Sequence, residues 1–138
     1  MTIDVAGGLY REICVRPQWD RVFGSAGRAA VALGSMGVDV RLHSYVTDTA
    51  KDIFGTEAAA LPIQLIEYEG RETVSFRYLY DSARPVIRRS SRMQNATFTV
   101  DAENVLRFGM LEGDAVVNAQ CAVYDPQNVG APISFSSN

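Results

Sequence analysis

Apolar and polar positions along this chain follow two periods, and the change from one to the other divides it into segments. "IDVAGG" is a short apolar run ending in two glycines, which predicts a buried strand; "LYREICVRP" predicts a further extended piece, stopped by Pro17. Ala29, Val31, Ala32, Leu33 and Met36 then cluster on one side of a helix, with Ser25 placed to cap it and Gly37 to end it in the left-handed conformation. Alternation follows over 38–46: Val38, Val40, Leu42, Ser44 and Val46 share one face, and Asp39, Arg41, His43 and Tyr45 the other. "TAKDIFGTEAAALP" predicts a second helix, weakened by Gly55 and ended before Pro62. The order strand, helix, strand, helix predicts a parallel sheet with right-handed crossovers.

From Ile63 the period becomes two. "IQLIEYE", a turn at Gly70 and "ETVSFRYLYD" predict a hairpin, with Val74, Phe76, Tyr78 and Tyr80 on one face of its second strand. "ARPVIRRSS" predicts a third extended piece, and Pro85 suits an edge strand. Residues 62–92 thus read as an antiparallel flap set between core segments 1–61 and 93–138. Such a flap has an apolar face to cover, by closing over a ligand or by pairing with a second copy of itself. Beyond it, Asp101 is placed to cap a short helix, "AENVLRF", stopped by Gly109. "DAVVNAQCAVYDPQN" returns to the buried-strand pattern with a turn at Asp125 and Pro126, and "APISFSSN" ends without a closing helix.

At 138 residues and 47% hydrophobic, the chain suits one small domain with a core. A net charge of -3 gives no general attraction for a polyanion, so nucleic acid is not an expected partner. No basic leader precedes a long apolar run and no stretch reaches membrane length, so the expectation is a cytoplasmic chain with no membrane partner. A small molecule or another protein is the default partner. Cys14, Cys121 and the sole histidine, His43, cannot assemble a zinc-type spacing, which predicts no metal site and reduced core thiols. His43 reads as a strand residue and not as a base.

Between 71 and 92 stand Arg71, Arg77, Arg84, Arg88, Arg89 and Arg92 against Glu72 and Asp81. These arginines either grip anionic groups or keep exposed strand edges from aggregating. "FGSAGRA" lacks the Gly-Lys-Ser/Thr ending of a phosphate loop and the spacing of a dinucleotide fingerprint. Glycines ahead of a helix still allow close backbone approach and leave N–H groups free, so this stretch is either a ligand cradle or a tight turn. Asp114 in "GMLEGDAV" precedes a strand and reads as part of a connecting turn.

Taken in order, the double glycine after the first strand, the glycine-led helix, the flap and "YDPQN" resemble the N-terminal half of the ribokinase-like (PfkB-type) carbohydrate kinase family. The resemblance implies an α/β fold: a partial Rossmann-like three-layer sheet with an inserted antiparallel β lid. "GGLYRE" is similar to the family's Gly-Gly-x-x-x-Asp, with Glu12 at the acid that holds acceptor hydroxyls. "GSAGRA" is similar to Gly-Gly-x-Gly-x-Asn, with Ser25 at a glycine and Ala29 at the asparagine; "VTDT" places Thr47 and Thr49 at the glycine and aspartate of a Val-Gly-x-Asp turn. "ETVSFRYLYDSARPVIRR" resembles the lid.

The family's Gly-Ala-Gly-Asp motif, which places the catalytic base and an anion hole, does not occur in the sequence, and neither does its C-terminal nucleotide site. The resemblance therefore implies the N-terminal portion of an ATP-dependent sugar or nucleoside kinase that phosphorylates an acceptor hydroxymethyl group. Acceptor binding falls to Gly8, Glu12, Gly24, Ser25, Gly27 and Arg28, and the lid to Phe76, Arg77 and Tyr78; no residue of this chain is catalytic. ATP and Mg2+ are implied for the intact family and not for stable binding by this chain, which is expected to be inactive alone. Association into a homo-oligomer through the lid or the exposed sheet is also implied. The reading from a different class is a non-catalytic ligand-binding or dimerisation module built on the same fold.

Overall fold

A computed structural model describes residues 1–90 and 94–127. Its elements are β1 (Thr2–Ala6), β2 (Arg11–Arg16), β3 (Trp19–Val22), α1 (Gly24–Ser35), β4 (Asp39–Val46), α2 (Asp48–Ala58), β5 (Ile63–Glu69), β6 (Ser75–Tyr80), β7 (Val86–Arg88), β8 (Phe98–Phe108) and β9 (Ala115–Asp125). One sheet has the order β5-β4-β1-β8-β9, and every pairing in it is parallel. A second sheet has the order β3-β2-β6-β7; β2–β3 and β6–β7 are antiparallel, and β2 lies parallel to β6.

Both helices pack against one face of the larger sheet. Val5, Val40 and Leu42 meet Ala26 and Ala30 of α1 and Ala50, Phe54 and Ala58 of α2 in a continuous apolar cluster. Small residues on α1 let its backbone approach the strands: a Cβ on Gly34 would lie 3.1 Å from the Ile63 side chain. A second cluster gathers Ala6, Tyr45, Phe98, Val100, Val105 and Ala115, with Tyr68 stacked on Phe98 at 4.0 Å between ring centroids. Asp4, buried on β1, is held by Arg41 and by His43 Nε2, each at 2.7 Å, which satisfies a charge that would otherwise be costly there. His43 is thus a buried partner of Asp4 on strand β4. No helix among the described residues is long and apolar enough to cross a membrane.

The helix ends follow the expected chemistry in part. Gly37 stops α1 with φ +80°, and Thr47 caps α2 by accepting from the Ala50 N–H at 3.3 Å. Ser25 does not cap α1: the helix begins at Gly24, Phe23 stands at the cap with no side-chain bond, and the Ser25 hydroxyl donates to Gln127 Oε1 instead.

Three further expectations are corrected. Residues 63–69 do not form a hairpin with the following strand; β5 pairs with β4 in parallel register from Val40↔Ile63 to Val46↔Glu69. Ile63 and Leu65 pack against the helix-side cluster, and alternation cannot by itself name a strand's partner. The second sheet instead joins β6 and β7 to β2 and to β3, a short strand that the pattern did not announce; β7 is an edge strand, as Pro85 suggested. The helix expected after Asp101 does not form. Phe98–Phe108 is one strand between β1 and β9, and its register runs through Ala102↔Ala119 to Phe108↔Asp125. Val105 and Leu106 pack in different apolar clusters because a central strand is covered on both faces, which blurs its period. Cys14 is buried, but Cys121 is exposed on β9 and is no core thiol. Arg92 and "APISFSSN" lie outside the described residues.

Candidate functional site

The chain leaves β1 at Gly7 and Gly8 and starts α1 at Gly24, and these two turns lie backbone against backbone. Gly24 has φ +62°, and a Cβ there would stand 2.4 Å from the Gly8 carbonyl oxygen. Any side chain would force the turns apart. Phe23 N–H donates to the Tyr10 carbonyl at 2.9 Å and closes the junction. Next to it opens a cavity of about 780 Å³. Tyr10 enters it from the turn before β2 and Glu12 from β2 itself, Ser25 and Arg28 from α1, Phe76 and Tyr78 from β6, and Asp114, Tyr124 and Gln127 from the segments around β9.

Glu12 is the best-held charge in this cavity. Its side chain is 7% exposed and accepts from the Arg28 guanidinium and from the Gly24 N–H. Burial pushes the Glu12 carboxyl above its ordinary value; Arg28 and the Gly24 N–H pull it back. Arg28 is 56% exposed and lies over the Phe23 ring, 5.5 Å from its centroid. Burial, and then the Glu12 charge, push the Tyr78 hydroxyl up, with Arg28 opposing.

On the other wall, Phe76 stacks on Tyr10 with ring centroids 5.3 Å apart. Tyr10 donates its hydroxyl to Glu112 Oε2 at 2.7 Å, and the Leu111 N–H reaches both oxygens at 3.0 Å. Burial drives Tyr10 well above the ordinary tyrosine range and raises Glu112 as well. Arg89 donates to the Leu111 carbonyl at 3.0 Å, fastening segment 109–114 to the small sheet. Asp114 accepts from Arg107 at 2.7 Å, and Arg107 lies 4.5 Å from the centroid of the Tyr124 ring.

Of the residues singled out from the sequence, Gly8, Glu12, Gly24, Ser25, Arg28, Phe76 and Tyr78 line the cavity together. Gly27 and Arg77 do not. A Cβ on Gly27 would meet Leu9 at 2.8 Å, so this glycine serves helix packing, and Arg77 is exposed on β6. Arg71, Arg84 and Arg88 are exposed away from the cavity lining. Asp114 does sit in the connection before β9, and it also lines the cavity. Tyr10, Tyr124 and Gln127 went unnoticed as site residues; the signal was that Tyr10 falls within the quoted "GGLYRE" and the other two within "YDPQN".

The described carboxylates at the cavity do not assemble a Mg2+ site. Glu12 and Asp114 are each engaged by an arginine, and among the described residues no group of three His, Cys, Asp or Glu could hold a metal ion.

No family model and no curated protein matches this chain. Solved structures do. A pyrophosphate-dependent myo-inositol-1 kinase, converted into a myo-inositol-3 kinase by two substitutions, aligns with a TM-score of 0.50 at 13% identity, over 78% of this chain and 39% of that one. A sulfate complex of a pyrophosphate-dependent kinase in the ribokinase family aligns with a TM-score of 0.48 at 10% identity, over 72% and 40%. A pyrophosphate-dependent kinase of that family with a pyrophosphate analog and myo-inositol aligns at 0.47 and 12% identity, over 78% and 41%. The chain spans about 40% of the length of these proteins. With its five-stranded parallel sheet, one-sided helices and second small sheet, the fold is ribokinase-like α/β.

Proposed function

We propose that this chain carries the acceptor side of an ATP-dependent kinase acting on a sugar, cyclitol or nucleoside hydroxyl. The observation that carries the reading is the buried Glu12 carboxylate, fixed by Arg28 and the Gly24 N–H in a cavity walled by Phe76 and Tyr78. A carboxylate with open lone pairs accepts hydroxyl protons, and aromatic walls accept the C–H face of a ring. Phosphoryl transfer itself needs a positioned base and charge stabilisation around the transferred group. Asp114 is paired with Arg107 and Glu12 is held by Arg28 and the Gly24 N–H, so the role proposed for this chain is binding and covering the acceptor. ATP and Mg2+ belong to the complete kinase reaction.

Calorimetric titration of the purified chain with myo-inositol, ribose, fructose and adenosine tests this reading. Saturable binding of at least one ligand is expected, weakened about tenfold or more in Glu12→Ala, as expected for loss of a hydrogen bond to a charged group. Binding by none of them overturns it. A second reading, a pairing module, draws on one observation: Leu79, Val86 and Ile87 on the small sheet are large, apolar and exposed.

A further inference from the structure

Arg28 and Glu12 place opposite chemistry at one point of the cavity. Glu12 offers carboxylate oxygens, of which the Gly24 N–H and Arg28 occupy only part of the accepting capacity. Arg28 offers up to five N–H donors; its contact with Glu12 uses one nitrogen, Nη2, and more than half of its side chain is open. Phe23 beneath the guanidinium favours a fixed plane, so the remaining donors keep a set direction beside the acceptor. Ala29, the next residue, brings no polar group.

The charge balance of the lining narrows what fits. Among the described residues its charged side chains are Glu12, Arg28 and Asp114, and Asp114 is paired with Arg107 behind it. A ligand with net charge would leave one charge of this partly enclosed site without a partner, which is costly. Phe76, Tyr78 and Tyr124 provide flat apolar surface. The lining therefore suits a neutral ring that carries hydroxyls on one edge.

We propose that Arg28 is a specificity-determining residue, forming with Glu12 a two-point clamp for a vicinal diol on a neutral ring. One hydroxyl donates to Glu12, and the oxygen of its neighbour accepts from Arg28. The clamp rests on the acceptor-binding reading of the same cavity and sharpens it. A free cyclitol or sugar and the ribose of a nucleoside both present this diol, and separate arms of one experiment distinguish them.

The full chain and its Arg28→Met and Arg28→Lys variants are titrated with myo-inositol, adenosine, 2'-deoxyadenosine, cis-1,2-cyclohexanediol, cyclohexanol, glucose and glucuronate. Circular dichroism confirms that each variant folds, which the exposure of Arg28 favours. The wild-type chain is expected to prefer each bound diol over its single-hydroxyl counterpart by about tenfold, the effect of one charge-assisted hydrogen bond. Arg28→Met should collapse that preference to near unity; Arg28→Lys should restore part of it, because it keeps the charge and loses the fork. Response to adenosine alone assigns the clamp to nucleosides, and response to myo-inositol or glucose assigns it to free polyols. Diol binding that ignores the second hydroxyl, ignores Arg28 or favours glucuronate over glucose overturns the clamp and leaves the acceptor reading standing. Binding of none of these ligands, nor of ribose or fructose, overturns both.

Discussion

Glu12 and Glu112 are both buried acids, and their partners separate their roles. Glu12 faces the cavity and is held by a cation; Glu112 is 3% exposed and is held by the neutral Tyr10 hydroxyl and the Leu111 N–H. Burial lifts Glu112 above the ordinary 4.5, so the folded chain binds that proton more tightly than the unfolded one. The stability it contributes is therefore complete below that ordinary value and is lost as pH rises through the raised value. Glu112→Gln keeps an acceptor for both donors and removes the ionisation. Its melting midpoint should exceed the wild type's at pH 7, by roughly 4 °C for each kcal/mol recovered, and the difference should vanish below pH 4.5. Equal pH slopes for the two proteins would refute this. Glu12 was legible in the sequence because it stands at a set distance after two glycines. The Tyr10–Glu112 pair was not, because it bridges 102 residues and leaves no local pattern.

At the scale of elements, two glycines bound the first helix and separate two physical effects. Gly37 has φ +80° with nothing within 4 Å of a built Cβ; Gly24 has φ +62° and the Gly8 carbonyl in the way. Gly37→Ala should cost about 1 kcal/mol, the price of a left-handed conformation alone. Gly24→Ala should cost clearly more, on the order of 3 kcal/mol, because the overlap must be relieved by moving backbone. It should also weaken ligand binding, since the Gly24 N–H that holds Glu12 moves with it; urea unfolding and the titration described above measure the two effects. Gly37 could be read directly, since helical periodicity ends there. Ser25 misled because a glycine in the left-handed region begins the helix one residue earlier. β8 misled for another reason: its apolar residues belong to two faces, and only the strands on either side reveal that.

Across the whole molecule, the parallel order of β1, β4 and their helices was legible from periodicity, while the partner of β5 and the make-up of the small sheet were not. Strand partners are chosen by long-range packing that a local pattern does not encode. The small sheet leaves Val86 62% and Ile87 47% exposed on its edge strand, and on the pairing reading a second copy would cover them. Ile87→Lys should shift sedimentation equilibrium toward monomer by about tenfold or more in the dimer constant, since burial of one such side chain contributes roughly 1.5–3 kcal/mol. An unchanged mass distribution would remove the pairing reading.

The Tyr10–Glu112 and Ser25–Gln127 hydrogen bonds each close a span of 102 residues. During synthesis, a growing chain therefore makes β1, both helices and β4 long before either wall of the cavity can meet the other. Sequence-distant closure of this kind slows folding, because chain entropy must be lost before the contact rewards it. The cavity is complete only once Glu112 and Gln127 have reached Tyr10 and Ser25, and a ligand that fills it favours that closure over the open chain.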